Sequence, residues 1–330
     1  MKWHFLILLI AFCSCGNSEK DAGDNLPVEI DFYVAEKKRI YMDELFDKIE
    51  VIPLETTPDC LLQDYPWIAG ITDGNVLMKN DFVGACLFSR KEGRFIHNVG
   101  KKGQGPDEYI LVGGTFCKEK NLMYANRGNT WIGINIETNK VEERVKKPYF
   151  TNLKIAGGVD NPYRLNDSLY MGYINNITGD IKYKIAVFNR NGEAVHLYPN
   201  HLLYPKKNQN EFIYVPGIFY RYKKKLCFYS GIVMDTIYTI KDTYLQARYA
   251  FHFNKKGFPY ENMDSQDFSI LDYTTLRRFM EYDNKLLFTY RAGSFDEGVG
   301  MLPVIGGLLS GWTLWKSMKE QSMFLKTCEV

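Results

Sequence analysis

The sequence carries no surplus of either charge: 41 Lys and Arg stand against 39 Asp and Glu in 330 residues. A dedicated nucleic-acid binder shows a clear basic excess, so that class of partner is excluded. No apolar run reaches the about 20 residues of a membrane-spanning helix, which excludes a multi-span membrane protein. Long helical periodicity is nearly missing before residue 270. The seven cysteines include no CxxC pair, and their spacing writes neither a zinc site nor a disulfide framework. GxSxG, HExxH, a Walker loop and an EF-hand loop are all absent. No catalytic residue, metal ligand or cofactor is therefore assigned, and the five histidines (His4, His97, His196, His201, His252) are dispersed.

Aromatic side chains are abundant at 15%, mostly 23 Tyr and 21 Phe, in a chain that is 45% hydrophobic. Such a composition fills a large core and favours strands, where aromatic and β-branched residues pack best.

The first residues form an address. Met1-Lys2 precedes the apolar run Trp3–Phe12, broken only by His4, and then Cys13-Ser14-Cys15-Gly16. A basic start, a short apolar stretch and small residues at a cut site make a secretory signal peptide. The apolar block ending at a cysteine resembles a bacterial lipoprotein signal, which implies lipidation of Cys15 after removal of residues 1–14. Ser14 before Cys15 fits that pattern, while Phe12 departs from the aliphatic residue it prefers. Several lipid chains would anchor the protein stably to a membrane. Residues 15–27 are polar and small and read as a flexible tether.

From residue 67 the chain is a succession of short alternating runs: 67–71, 76–79, 85–88, 94–99, 110–116, 122–125, 131–136 and 141–145. Period-two runs of this length between turn residues are strands. They recur in register. One phrase appears as NVLM (75–78), NLMY (121–124), SLYM (168–171), KLCF (225–228) and KLLF (285–288). A second follows as ACLF, NTWIGINI, IKYKIAVFN and DTIYTI, and a third as EGRFIHNV, NGEAVHLY and YLQARYAFHF. Repetition every ~40–50 residues with four strands per unit marks the blades of a β-propeller, whose sheets stack around a channel.

The segments IEVIPLETTPD (49–59), GRFIHNVGKKGQGPDEY (93–109) and DTIYTI (235–240) resemble the six-bladed β-propeller lipoproteins of Bacteroidota, themselves similar to NHL-repeat and TolB-like propellers. The resemblance covers roughly residues 30–290. It implies an all-β propeller of four-stranded blades, with the strand around Ile49–Leu54 completing the last blade. Four full blades fit between residues 67 and 253, and a fifth begins near Arg277. The tail 301–330 leaves the strand rhythm. The expectation is therefore a propeller over residues 28–300 of six-bladed type, its last blade incomplete, in a truncated or frame-shifted chain.

GKKGQGP (100–106) invites a phosphate-cradle reading, but strands flank it on both sides and no helix N-terminus follows. It reads as the crossover between two blades. Hairpin ends alternate in an up-and-down blade, so crossovers share one rim with each blade's second hairpin loop. That rim collects Lys101, Lys102, Gln104, Asp107, Glu108, Tyr109, Arg127 and Asn175, with Asn129, Tyr149, Phe150, Asn176, His201 and Tyr204. Flat aromatics beside amides and mixed charges suit an oligosaccharide or an extended peptide. The leading expectation is a membrane-anchored cell-envelope module that binds such a ligand or a partner protein. The rivals are a propeller hydrolase or lyase working over the channel, an envelope scaffold subunit, and a degenerate copy without a stable fold.

Overall fold

The computed structural model describes residues 26–33, 36–37, 46–62, 66–80, 84–111, 115–150, 158–205, 215, 217–230, 234–263, 272–282, 285–293, 296–305, 308–309 and 313–316. Two short strands come first, β1 (Val28–Asp31) and β2 (Glu36–Lys37). Blade 1 is β3 (Trp67–Ile71), β4 (Asn75–Asn80), β5 (Gly84–Ser89) and β6 (Phe95–Val99). Blade 2 is β7 (Phe116–Cys117), β8 (Leu122–Arg127), β9 (Thr130–Asn135) and β10 (Val141–Lys146). Blade 3 is β11 (Val159–Arg164), β12 (Leu169–Ile174), β13 (Tyr183–Asn189) and β14 (Ala194–Pro199). Blade 4 is β15 (Gly217–Tyr222), β16 (Lys225–Ser230), β17 (Thr236–Ile240) and β18 (Leu245–His252). In all four, neighbouring strands are consecutive in the chain and antiparallel.

A fifth sheet is built differently. It holds β19 (Thr274–Tyr282), β20 (Lys285–Ala292), β21 (Asp296–Ile305), β22 (Leu308–Leu309) and β23 (Thr313–Lys316), in the order β19-β20-β21-β23-β2 with β22 on β21. The described chain thus has four complete blades, not six, and this corrects the six-bladed expectation. The four repeats counted between residues 67 and 253 are those blades. Residues of the segment read as an atypical tail join the fifth sheet, because β21 continues past residue 300 to Ile305.

The first two repeat phrases lie on the middle strands of each sheet, where burial explains their apolar composition, and the third lies on the last strands β6, β14 and β18. The β5 pattern is buried from Gly84 to Phe88, and β13 is buried from Lys184 to Phe188. A strand buried on both faces sits between sheets, so the cores lie between blades rather than inside one. One core joins Leu77, Leu87 and Val99 of blade 1 to Met123, Ile132 and Ile134 of blade 2. A second joins blades 2 and 3, and the largest joins blades 3 and 4 to the fifth sheet. Close approach of β15 to β12 needs glycine. A Cβ on Gly217 of β15 would lie 2.3 Å from the Cβ of Tyr173 in β12.

Of the run expected at 110–116, the described residues form the start of β7 and a bridge from Leu111 to Asn126. The N-terminal chain stitches the sheets together. β1 adds to β18 as a parallel fifth strand, placing Ile30 and Phe32 in the largest core. β2 then pairs in parallel with β23. Phe46 stacks on Tyr282 of the fifth sheet at 6.4 Å. Beyond it the chain reaches blade 1, where the Glu55 amide donates to Gly93 O at 2.9 Å and Cys60 enters a core with Val76, Met78, Cys86 and Phe88. The segment 49–54 is therefore not a strand of the last blade. It is an extended belt laid on the first.

Candidate functional site

The GKKGQGPDEY crossover is folded on itself. Tyr109 N–H donates to Lys101 O at 2.9 Å, Gly103 N–H to Tyr109 O at 2.9 Å and Glu108 N–H to Gly105 O at 3.1 Å. The Glu108 carboxylate accepts from Gly105 N–H at 2.8 Å and pairs with Lys101 Nζ at 2.8 Å. The lysine and this amide hold the Glu108 carboxyl below its ordinary range, and Glu108 in turn raises Lys101. The glycine amides that a phosphate would need thus already have partners, Gly103 and Gly105 inside the loop and Gly100 at Asn139 Oδ1 of blade 2.

Blade 2 holds the loop from its other side. Arg127 Nη2 donates to Gln104 O at 2.7 Å, while Arg144 donates to Pro106 O at 3.1 Å and pairs with Asp107. Lys102 bridges in parallel to Tyr109. The Tyr109 ring is buried in the core between blades 1 and 2, and burial raises its phenol.

Asn175, Asn176 and Tyr204 of the expected rim form a second knot at the junction of blades 3 and 4, whereas Asn129 stays in the β8–β9 turn, where its carbonyl accepts from Lys147 N–H at 3.0 Å. Asn175 is buried and donates to Val215 O at 3.4 Å. Asn176 donates to Gly179 O and Leu202 O and accepts from Ile181 N–H at 3.0 Å. Buried Tyr204 donates to Asn176 O at 2.6 Å and meets Tyr260 edge-on at 5.6 Å. Phe150 is buried, whereas Tyr149 is 76% exposed. Loop backbone carbonyls that leave solvent need donors, and these amides and hydroxyls supply them. Cys15 and the signal segment lie outside the described residues.

Sequence reasoning did not find the cleft that opens on this rim one junction further on. Between blade 4 and the fifth sheet lies a cavity of ≈ 330 Å³, near the lower end of the ~300–1,000 Å³ of ligand pockets. Met234, Asp235, Phe251, His252, Phe253, Asn254, Gly257, Phe258 and Thr274 line it. The chain folds this way because crossover 253–258 passes over the start of β19, where Gly257 bridges to Thr274. Phe251 and Phe253 stack on each other at 6.0 Å and form an apolar floor. Around it stand the Asp235 carboxylate, which accepts from the Thr236 hydroxyl at 2.8 Å, and the Thr274 hydroxyl, 2.6 Å from Tyr33 Oη. His252 pairs with Glu29 of β1. Asn254 adopts φ 52°, a left-handed conformation that asparagine tolerates better than most residues. The available signal was the Asp that opens DTIYTI; Thr274 had none. Among the described residues, no group of three His, Cys, Asp or Glu side chains is placed to hold a metal ion.

The profile of a family described as a domain of unknown function, DUF4934, matches residues 27–301. The chain belongs to the DUF4934 family. Its fold is similar to the crystal structure of a Bacteroides fragilis protein described as exported, with a TM-score of 0.63 and 15% identity. That likeness covers 88% of the DUF4934 chain and 80% of the B. fragilis protein, and it is one of fold. Dihydro-heme d1 dehydrogenase NirN aligns at a TM-score of 0.39 and 9% identity over 73% of this chain and 55% of that one. No chemistry is transferred from a likeness so slight. The comparison with curated proteins gives no match.

Proposed function

We propose that this DUF4934 chain is a lipid-anchored propeller of the cell envelope that binds an oligosaccharide or peptide in the rim cleft between blade 4 and the fifth sheet. The cleft carries the reading. It sets a carboxylate, a hydroxyl and an amide beside a buried pair of stacked aromatic rings. A small number of fixed polar groups over apolar walls is the make-up of sites for small polar ligands. The Met1–Cys15 pattern supports the anchor, and the fold likeness to an exported protein agrees with the location.

The test is calorimetric titration and thermal shift of the purified protein against oligosaccharide and peptide panels. A ligand present at a hundredfold its Kd stabilises the native state by about 2.7 kcal/mol. Binding that disappears in Asp235→Asn and Thr274→Val supports the reading. Binding untouched by both changes, or no binding from either panel, overturns it. Cys15→Ala is expected to abolish lipid labelling and release the protein from membranes, and retained labelling would remove the anchor from the reading.

A further inference from the structure

Four cysteines lie among the described residues, and all are thiols. Cys117 belongs to blade 2 and Cys227 to blade 4, each in its own surroundings. Cys60 and Cys86 share one. The small core between the belt and blade 1 consists of Cys60, Val76, Met78, Cys86 and Phe88, with Leu54, Leu62 and Phe95 at its margin. Polar contacts hold the two cysteines in that place. Cys86 of β5 lies directly opposite Asn98 of β6, and its thiol donates to Asn98 Oδ1 at 3.2 Å. The same Asn98 side chain donates from Nδ2 to the carbonyl of Asp59, the residue before Cys60, at 3.4 Å. The Cys60 sulfur accepts from Thr57 N–H at 3.4 Å, lies 3.2 Å from Thr57 Oγ1, and donates to Glu55 O at 3.3 Å. One asparagine thus joins the turn that carries Cys60 to the strand that carries Cys86.

We propose that Cys60 and Cys86 are a thiol pair that oxidises to a disulfide, clasping the belt to blade 1. The envelope reading above matters only for the source of the oxidant, since exported proteins meet disulfide-bearing oxidases. Both cysteines are buried, but Cys60 sits in a turn whose neighbours Asp59 and Leu61 are exposed, so local opening of that turn brings Cys60 to the oxidant first. Burial, reinforced by the charge of Cys60, pushes the Cys86 thiol up to about 11, which makes it a poor first nucleophile. The Cys60 thiolate attacks one sulfur of the oxidant's disulfide, forming a mixed disulfide and releasing one thiolate. Cys86 then gives up its proton and attacks Cys60 Sγ, so the Cys60–Cys86 bond forms and the oxidant leaves as its second thiolate. Two electrons pass to the oxidant, which takes up the two thiol protons and departs as a dithiol.

The bond would close the chain between residues 60 and 86 and hold the belt in the position that connects the fifth sheet to blade 1. Such a ring removes freedom from the unfolded chain and so favours the folded state.

The experiment is peptide mapping of the full-length protein, denatured in the presence of the alkylating reagent and digested without reductant. One sample is purified from envelopes, and another is reduced, refolded in its native state and exposed to oxidised glutathione. A Cys60–Cys86 cross-linked peptide two hydrogens lighter than its parts is expected in the second sample whatever the protein's location. In the first sample it shows that the clasp forms in the cell. Reduction is expected to lower the melting temperature by several degrees in wild type and to leave a Cys60→Ser/Cys86→Ser variant unchanged. Free alkylated thiols at both positions after oxidation, glutathione caps without a cross-link, or a different cysteine pair would each overturn the proposal. A cross-link without any ligand binding leaves the clasp standing while the binding reading fails.

Discussion

Arg248 of β18 and Glu281 of β19 meet across the junction of blade 4 and the fifth sheet, with Nη2 to Oε2 at 2.6 Å and Nε within 3.1 Å and 3.2 Å of the two carboxylate oxygens. The carboxylate is 2% exposed and accepts further hydrogen bonds from the hydroxyls of Tyr220 and Tyr249. The junction of blades 2 and 3 repeats the device. There Glu143 accepts from Tyr124, Tyr170, Arg164 and Arg190. Sheets that meet mainly through apolar faces could slide past one another. A carboxylate with several directional donors from the adjoining strands fixes the register of the junction.

Glu281→Ala is expected to destabilise the protein by about 3–5 kcal/mol, because it strands a buried guanidinium and two hydroxyls. Arg248→Met alone is also costly, since it leaves the carboxylate buried with only the tyrosines. The double variant should cost less than the two single costs combined, giving a coupling energy of about 1–3 kcal/mol in a denaturant-based double-mutant cycle. Strict additivity would show that the pair is not a functioning contact.

Glu143 makes acid sensitivity a local property. Burial pushes its carboxyl up, but Tyr124, Tyr170 and Arg164 outweigh burial and bring it below its ordinary 4.5. A group lowered by folding gives its full stabilisation above the unfolded value and loses it as pH falls through the folded value. Stability should therefore decline below about pH 4.5, more steeply in wild type than in Glu143→Gln. The variant should already be about 2–3 kcal/mol weaker at pH 7. Parallel acid-denaturation curves for the two proteins would contradict this.

Lys184 of β13 shows the opposite sign. It is 6% exposed, lies over the ring of Tyr238 at 5.7 Å, and burial pushes it down to about 8 against the pull of Asp235. Between about 8 and the ordinary 10.5 the unfolded chain holds a proton that the folded chain has released, so stability rises with pH across that window. Lys184→Met should be about 1–3 kcal/mol more stable at pH 7 and lose the rise measured between pH 7.5 and 9.5. A destabilised variant that keeps the rise would assign the pH dependence to other groups.

Much of this architecture is legible in the sequence because local patterns determine it. KLCF and KLLF are the middle strands β16 and β20, and their alternation follows from burial between sheets. Legibility fails where distant chain segments meet. VEID carries no sign that it will lie parallel to YAFH of β18, since parallel pairing has no hairpin to announce it. Glu143 in VEERVK and Glu281 in TTLRRFMEY look like solvated faces, and only the tyrosines and arginines of the adjoining sheets reveal them as buried. Tyr109, Asn175 and Tyr204 read as polar rim residues, although loops crossing between packed blades must satisfy their own backbones and draw those side chains inward. The cleft joins Asp235 to Thr274 across a crossover, a distance no local pattern spans.

Gly93 decides whether the belt can lie on blade 1. Its φ is +70°, and a Cβ there would stand 1.9 Å from the carbonyl oxygen of Pro53, a backbone atom that a rotamer change cannot move. The contact is tight because Gly93 O accepts from the Glu55 amide at 2.9 Å, while the Glu55 carboxylate accepts from Phe95 N–H at 2.8 Å. Gly93→Ala should cost about 2–4 kcal/mol through left-handed strain plus the clash. Under reducing conditions it should also speed limited proteolysis between residues 46 and 62. Gly74, in the β3–β4 turn of the same blade, is the control, since a Cβ there meets nothing within 4 Å. Gly74→Ala is expected to melt and digest like wild type. Equal digestion of Gly93→Ala and wild type would mean that residues 53–55 are not held on blade 1, and that closure from the fifth sheet to the first blade needs another agent.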